Sequence, residues 1–205
     1  MKELLLKDFI TIGISSIALL ISLINLFRDR KNISLRISKQ TLIKRIETYD
    51  KDPAFKNQTT GVSIDFRFLN TSKHSLGYYD LVFRDEYTKQ LLPCTYKFAL
   101  RPEIASQELL GITPLDEITH LNFMDSNYGV IPANSYVLKE VIVYPISDKI
   151  RVNIKFAKST IIPNFRSNTT KFKKWKSTLI KLSDEEINTI NQENQKLIQQ
   201  QLSQQ

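Results

Sequence analysis

The residues with the clearest chemical potential form a run of cations interleaved with aromatic rings near the C-terminus. The candidate anion-binding set is Lys171, Lys173, Lys174, Trp175 and Lys176. Lysine ammonium groups attract phosphates, and aromatic rings stack on the bases of single-stranded nucleic acid. The same residue types suit the inner face of a membrane, where Trp side chains occupy the interface. A strand with merely solvated lysines is the third interpretation, and the residues by themselves leave all three open.

Groups that could carry catalysis are few. His74 and His120 lie far apart in the sequence, and the chain contains no H-E-x-x-H motif. The single cysteine, Cys94, follows Leu-Leu-Pro, a setting typical of a small buried hydrophobic residue. There is no P-loop, G-x-G-x-x-G or G-x-S-x-G motif. We therefore expect a protein with no metal site and no cofactor.

Two pairs of adjacent carboxylates are the remaining candidates for acid–base chemistry, Asp85-Glu86 and Asp116-Glu117. Neighbouring residues on a strand point to opposite faces of a sheet, so neither pair forms a catalytic dyad by itself. For this reason we expect that the protein is not an enzyme. An enzyme whose catalytic groups converge from distant positions is kept as an alternative.

The charge is polarised along the chain. In total, 29 Lys and Arg residues stand against 21 Asp and Glu residues, which gives a net charge of +8. Segments 28–45 and 149–181 carry +6 and +10, whereas segments 46–148 and 182–205 carry −5 and −3. A basic balance of this kind favours anionic partners such as lipid headgroups or nucleic acid.

An uncharged apolar segment lies close to the N-terminus. It runs from Phe9 to Phe27 and, as a helix, is about 28 Å long, close to the hydrocarbon thickness of a bilayer. The alternatives are a signal peptide and a buried core helix. The balanced charge before the segment and the lack of an A-x-A-like cleavage site disfavour a signal peptide. We expect a short tail at 1–8 and a transmembrane helix at 9–27.

The cations beside this helix predict its orientation. Lys2 and Lys7 precede it, whereas seven Lys and Arg residues follow within 28–45, which we interpret as a basic juxtamembrane collar and first strand. The expected membrane-interface residues are Arg28, Arg30 and Lys31. By the positive-inside rule, the C-terminal body lies in the cytosol. Four N-x-S/T sequons point the other way but are frequent by chance in an Asn-rich chain; they lie at Asn32, Asn57, Asn70 and Asn168.

One face of the apolar helix carries small and hydroxyl residues. The stripe comprises Thr11, Ser15, Ala18, Ser22 and Asn25, at spacings of 4, 3, 4 and 3. Small residues let two helices approach closely in lipid, and an Asn side chain hydrogen-bonds across such an interface. The stripe predicts a homo-oligomer formed through the helix, unless these residues only dilute its hydrophobicity.

After the collar, apolar and polar residues alternate with the period of a strand. Asn32–Ser38, Val62–Leu69 and Ile150–Ala157 have this pattern, which marks half-buried antiparallel strands. Further strand candidates are Tyr78–Arg84, Thr95–Leu100, Tyr136–Tyr144 and Phe172–Leu182. Turn-rich breaks separate them. The predicted fold is therefore mainly β, with an antiparallel β-sandwich over residues 46–182.

Helical signals appear in two places after the first strands. A short helical insertion is expected at 102–110 and 114–120, because Pro102 opens the first segment and Thr113-Pro114 offers a cap and a Pro at the first helical position. Near the C-terminus, Ser183 and Glu186 form a capping-box pattern. Residues 183–205 are therefore predicted to be a polar, Gln-rich helix or tail. Coiled-coil pairing of this segment is the alternative to a solvated helix.

The plan of the chain resembles small membrane-anchored β-sandwich proteins of bacteria. The features that carry the resemblance are the N-terminal span, the basic collar, the segment V-S-I-D-F-R-F-L-N-T-S-K-H-S-L and the late strand W-K-S-T-L-I-K-L. The resemblance covers most of the chain and implies a location and a fold, without an activity. More loosely, the plan is similar to anchored abortive-infection proteins that act on phage nucleic acid, although no residue motif supports that likeness.

These observations favour a single-pass protein of the cell membrane whose cytosolic β-sandwich is a binding or scaffolding module. The expected partners are the lipid bilayer, a second copy of the chain, and an anionic lipid or a nucleic acid. A membrane-tethered nucleic-acid-binding protein, in phage defence, is the first alternative. Which protein it binds does not follow from the sequence.

Overall fold

The computed structural model describes residues 2–28, 33–50, 53, 59–159 and 172–203. The protein is mainly β, as the alternating pattern predicts, with an apolar N-terminal helix and a C-terminal helix. The helices are α1 (Lys2–Arg28), α2 (Pro102–Ala105) and α3 (Asp184–Leu202). The strands are β1 (Ile33–Ile43), β2 (Arg45–Thr48), β3 (Gly61–Asn70), β4 (Leu76–Asp85), β5 (Cys94–Thr95), β6 (Leu109–Ile112), β7 (Ile118–Leu121), β8 (Gly129–Ile131), β9 (Ser135–Val143), β10 (Lys149–Ser159) and β11 (Phe172–Lys181).

The strands form three antiparallel sheets. The first sheet has the order β1-β3-β9-β5, the second has the order β11-β10-β4-β8, and the small third sheet has the order β2-β6-β7. Apolar residues at alternate positions of the first and second sheets share one buried cluster, which makes the two sheets a β-sandwich. Its centre is aromatic: Phe66 lies 6.2 Å from Phe68 and 6.1 Å from Phe83, measured between ring centroids.

The third sheet packs on part of the opposite face of the first sheet. A second buried cluster joins Ile43 and Ile142 of the first sheet to Ile46, Leu109 and Leu121 of the third. Strand β1 leads into β2 through Lys44, and β2 runs beside β6 in antiparallel register from Arg45 to Thr48. The first sheet is therefore covered on its inner face by the second sheet and on part of its outer face by the third.

Helix α3 docks on the side of the sandwich where β1 is the edge strand. The predicted capping box is confirmed, because the Glu186 carboxylate accepts from the Ser183 backbone N–H at 2.7 Å. Ile190 is buried in the main core, and the Lys39 ammonium lies 2.6 Å from the Glu186 carboxylate. Further along, the Thr60 backbone N–H donates to Asn194 Oδ1 at 2.8 Å. The first half of α3 is thus part of the folded body.

The predicted helical insertion is largely wrong. Helix is found only at Pro102–Ala105, whereas 109–112 and 118–121 are paired strands of the third sheet. Thr113 does not cap a helix: its hydroxyl accepts from the Glu117 backbone N–H at 3.1 Å and closes a hairpin turn. Asp116, with φ of 58°, supplies the left-handed residue of that turn. Leu109 and Leu121 of the two flanking strands are buried with Ile43 and Ile142 of the first sheet, and this burial overrides the local helix signal.

The strand predicted at Thr95–Leu100 is also shorter than expected. Only Cys94–Thr95 pairs with β9, and the chain then forms a 3-10 turn at Lys97–Ala99. Leu100 closes the turn and is buried in the second cluster. The other predicted strands are found, each within a few residues of its expected bounds.

Candidate functional site: the anchored end of the sandwich

The apolar helix leaves its side chains outside the folded body. Between Asp8 and Asn25 none of α1 is buried inside the protein, and Phe9 and Ile12 are 72% and 64% exposed. The helix is long and apolar enough to span a membrane, and a signal sequence meets the same two criteria. The stripe residues Thr11, Ser15, Ala18, Ser22 and Asn25 all lie on this exposed stretch. Their role in self-association stays a prediction.

A short link joins α1 to one particular end of the sandwich. Helix α1 ends at Arg28 and β1 begins at Ile33, so fully extended chain would span at most about 18 Å between them. In the register of the first sheet, Ile33 is opposite Asn70, and Asn70 is opposite Ser135. We call this the anchored end. Arg30 and Lys31, two expected membrane-interface residues, lie in the link, outside the described residues; Arg28 is the last residue of α1.

The register also brings the second basic segment to the anchored end. Strand β4 starts there, at Leu76, directly after the turn that follows Asn70. Tyr78 of β4 is opposite Phe156 of β10, which is opposite Lys174 of β11. Strand β11 therefore begins at the anchored end. Its predicted anion-binding residues from Lys173 to Lys176 lie beside the start of β1, although the sequence separates the two segments widely.

A direct contact ties these two segments together. The Lys176 ammonium donates a hydrogen bond to the backbone carbonyl of Leu35, the third residue of β1. Strands β1 and β11 are the edge strands of their sheets on the same side of the sandwich. A lysine that reaches across an open edge blocks pairing with another chain, so Lys176 has a structural task besides its charge.

The anchored end is rich in cations, and the acid that borders it on β4, Asp80, is paired with Lys155. The parts of the chain that form it are 33–36, 68–79, 129–138, 155–159 and 172–176, and they contain no Asp or Glu. They contain Arg36, Lys73, Lys155, Lys158, Lys173, Lys174 and Lys176. Lys171, also predicted to bind anions, directly precedes β11 and lies outside the described residues. This end of the sandwich therefore presents net positive charge.

The predicted anion-binding residues are divided between the two faces of the second sheet. Lys174 and Lys176 are opposite Phe156 and Ile154, which are buried in the core. Trp175 is opposite Lys155, and Lys155 is opposite Tyr79 of β4. Residues directly opposite each other share a face, so Trp175 holds a position in a row with a cation and a second aromatic residue.

The central cation of that row, Lys155, forms an ion pair and lies near an aromatic ring. The Lys155 ammonium lies 2.6 Å from the Asp80 carboxylate and 5.9 Å from the centroid of the Tyr79 ring. The hydrogen bond with Asp80 raises the pKa of Lys155, so this residue keeps its charge at neutral pH. Asp80 has a φ of 51°, and the register between β10 and β4 shifts near it.

A buried asparagine organises the turns of the anchored end. Asn70 is fully buried, and its amide donates to the carbonyls of Pro132 and His74 at 2.8 and 3.0 Å. The Ser72 hydroxyl donates back to Asn70 Oδ1 at 2.7 Å. The sequence marked Asn70 only as a sequon. Because its side chain is buried and hydrogen-bonded, Asn70 has no place for a glycan in the folded protein.

The opposite end, which we call the distal end, holds the adjacent carboxylates Asp85 and Glu86. Burial acts to raise the pKa of Asp85, but hydrogen bonds from Ser147, Thr88 and the Tyr87 backbone outweigh it and hold that pKa low. The hydrogen bond with Arg151 lowers the pKa of Glu86 to about 2. The two carboxylates thus make separate structural contacts.

The other candidates for chemistry are dispersed. His74 is exposed in the turn after β3, and His120 lies on β7, where its ring contacts Glu108 at 2.7 Å. Burial raises the pKa of Cys94, which packs beside the core. In the described part of the chain, no three His, Cys, Asp or Glu side chains are close enough to hold a metal ion.

One cavity is lined by Tyr78, Asp125 and Lys139, next to the core. Burial, and then the charge of Asp125, raise the pKa of Tyr78 to about 12. The cavity measures about 50 Å³. Ligand pockets are several times larger, so this cavity has room for little more than water.

Sequence reasoning missed a carboxylate pair on the outer face of the first sheet. Asp65 and Glu140 are directly opposite each other on β3 and β9. Burial, and then the charge of Asp65, raise the pKa of Glu140. Arg67 and Gln40 both contact the Asp65 carboxylate. Their alternating positions marked them only as outward residues, and no local signal pairs β3 with β9.

Comparison of the chain with protein-family models, with curated proteins and with solved structures finds no match. The fold and the exposed helix define a mainly β protein with one apolar N-terminal helix long enough to cross a membrane. What the protein does must be argued from its own residues.

Proposed function

We propose that this protein is a single-pass membrane protein whose β-sandwich serves as a cytosolic binding or scaffolding module. The observation that carries the proposal is the position of its charge. The exposed apolar helix joins an end of the sandwich where cations outnumber acids and where the bordering acid, Asp80, is paired with Lys155. Such an end is suited to lie against an anionic membrane surface, where each nearby Lys or Arg contributes about 1 kcal/mol.

Two features support the cytosolic orientation. Segment 28–45 has seven Lys and Arg residues, against Lys2 and Lys7 before the span. The cations of β10 and β11 add to the same side of the membrane, since the register brings them to the anchored end. Asn70, whose sequon argued for the opposite orientation, is fully buried.

The orientation is tested by cysteine labelling of the full chain. In a Cys94→Ser background, Tyr49→Cys puts a thiol at an exposed position of the body, since Tyr49 is 73% exposed. An impermeant maleimide should label this thiol only after spheroplasts are lysed. The matched control, Lys2→Cys in the same background, should be labelled before lysis. Labelling of position 49 in intact spheroplasts, or release of the protein by alkaline extraction, would refute the proposal.

A membrane-tethered nucleic-acid-binding protein is the second candidate, and the row formed by Tyr79, Lys155 and Trp175 favours it. Alternating rings and cations on one sheet face are the elements of a stacking platform for single strands. Trp175 is the only tryptophan, so its fluorescence reports on this row without labelling.

Fluorescence separates the two candidates. The full chain is placed in nanodiscs of phosphatidylcholine and titrated with a single-stranded oligonucleotide at low salt. Stacking would quench the emission, and Trp175→Ala would then cost about 1–3 kcal/mol of binding free energy measured by anisotropy. Unchanged emission and no binding would exclude the second candidate.

A further inference from the structure

A second cationic surface lies on the first sheet, far from β11 in the sequence. The third sheet covers the outer face of the first sheet around Ile43 and Ile142. Towards the anchored end this cover stops, and Arg36 and Tyr136 are exposed. The outer face therefore has one covered half and one open half, and the open half adjoins the membrane anchor.

Two arginines face each other on the open half. Arg36 of β1 and Arg67 of β3 are directly opposite in register. Arg67 lies 3.3 Å from the Asp65 carboxylate, and its Nε is buried without a hydrogen-bond partner in the described part of the chain. Arg36 forms no ion pair with any described residue. Like charges directly opposite each other destabilise a sheet. Asp65 offsets part of this cost at Arg67, and an anion bound beside Arg36 would offset more of it.

An apolar pair occupies the next row towards the anchored end. Leu69 of β3 is opposite Tyr136 of β9, and they are 45% and 61% exposed. Ser34 of β1 completes the row opposite Leu69. Two residues along a strand span about 7 Å, so the apolar row lies about that much closer to the anchored end than the arginine pair does.

We propose that these four residues, Arg36, Arg67, Leu69 and Tyr136, form a docking surface for anionic phospholipid headgroups of the membrane that α1 spans. The inference rests on the proposed function. Arginine guanidinium groups bind phosphate in two-pronged geometry, and Tyr side chains favour the membrane interface. The order of the rows follows that of a bilayer surface: an apolar and aromatic row nearer the hydrocarbon, then cations at the level of the phosphates.

The short link makes this docking geometrically accessible. Residue 33, at the start of β1, is within about 18 Å of the end of α1, and Ser34, which belongs to the apolar row, follows directly. The acids that border the anchored end are paired with cations, Asp65 with Arg67 and Asp80 with Lys155, so they repel an anionic leaflet less than free carboxylates would. Because the surface is tethered close to the end of α1, it meets lipid headgroups at a high effective concentration.

The test places a fluorescent reporter beside the surface without altering its four residues. In the full chain with Cys94→Ser, Ser34→Cys is labelled with an environment-sensitive fluorophore and reconstituted in nanodiscs. The discs contain phosphatidylcholine alone or with phosphatidylserine, plus a quencher-bearing lipid. We expect blue-shifted, quenched emission in phosphatidylserine discs only. A label at Tyr49→Cys is the aqueous reference, because Tyr49 is 73% exposed in the wild-type protein.

Variants assign the effect to the surface. Arg36→Gln should lower the docked-to-free ratio about fivefold, the loss expected for one cation at a membrane surface. Arg36→Lys should retain most of the docking, and Arg101→Gln, which changes an exposed cation beside α2, should leave it unchanged. An unaltered melting temperature of the Arg36 variants shows that the fold is intact.

Three outcomes would overturn the inference. They are a Ser34 label as water-exposed as the Tyr49 label in both lipids, equal docking of Arg36→Gln and wild type, and release of the label from the lipid by single-stranded DNA. The proposed function would survive the first two, since labelling of position 49 in spheroplasts reports on anchoring and orientation independently.

Discussion

The two ends of the sandwich use charge in different ways. At the distal end, cations meet carboxylates of the same protein: Arg151 and Lys89 both contact Glu86, and Lys39 contacts Glu186. At the anchored end cations outnumber acids, although Lys155 is paired with Asp80. Charges that are neutralised internally serve the fold, whereas an excess of one sign at one end creates a potential that attracts ions of the opposite sign.

The ends differ in their covering as well. The distal half of the sandwich is covered by the third sheet and by the first half of α3. The anchored end is closed by turns, which the buried Asn70 holds together. The uncovered surface next to the apolar helix is the one on which the proposed lipid contact depends.

The largest expected effect on both ends comes from truncating a side chain in the core that the two main sheets share. Phe66 is fully buried between the two main sheets, so Phe66→Ala should cost about 3–5 kcal/mol of unfolding free energy. Near-ultraviolet circular dichroism of the full chain in micelles during urea unfolding measures this. Phe98→Ala, at an 89% exposed residue, is the control and should change little. A small effect of Phe66→Ala would mean that the two sheets do not share one core.

The anchored end should be selectively weakened by Asn70→Ala. The substitution leaves the Pro132 and His74 carbonyls without their donor, at a cost of about 1–3 kcal/mol. Hydrogen exchange should rise in the turn at 71–75 more than at the distal end. Asn70→Asp, which keeps an acceptor for Ser72, should recover only part of the loss. Uniform destabilisation of both ends would contradict a local role.

The distal end should respond to the cap of α3. Ser183→Ala removes the hydroxyl that accepts from the Glu186 backbone N–H, which should cost about 1 kcal/mol. Thermal unfolding measures the loss, and Ser203→Ala, near the other end of the helix, is the control. Equal melting temperatures of the two variants would show that the capping box does not stabilise the folded protein.

The smallest expected effects are changes of stability with pH, and they have opposite signs for the carboxylates of Glu86 and Glu140. Arg151 lowers the pKa of Glu86 from 4.5 to about 2, so its stabilisation is present above pH 4.5 and is lost as pH falls towards 2. Burial raises the pKa of Glu140, so its ionisation opposes folding as pH rises above 4.5. At neutral pH, Glu86→Gln should lower the melting temperature and Glu140→Gln should raise it. Shifts of the same sign would reject this assignment.

Local pattern was sufficient for the main strands. In β10 the alternating apolar residues are the buried ones, whereas in β3 the third sheet and the turns also bury polar residues such as Ser63 and Asn70. The Ser183–Glu186 cap and the apolar helix were readable for the same reason: each signal lies within a few residues of sequence. Local pattern failed at 113–117, where a helix-cap motif closes a hairpin because burial of Leu109 and Leu121, on the strands that flank it, decides the structure.

By itself, the sequence determined the apolar helix, the β character of the body and the segments that carry the charge, because hydrophobic period and composition are local properties. Only the tertiary structure decided that β11 starts beside β1 and that Arg36 is opposite Arg67. Strand order and register join residues distant in sequence through burial of a common core, and no short segment contains that information.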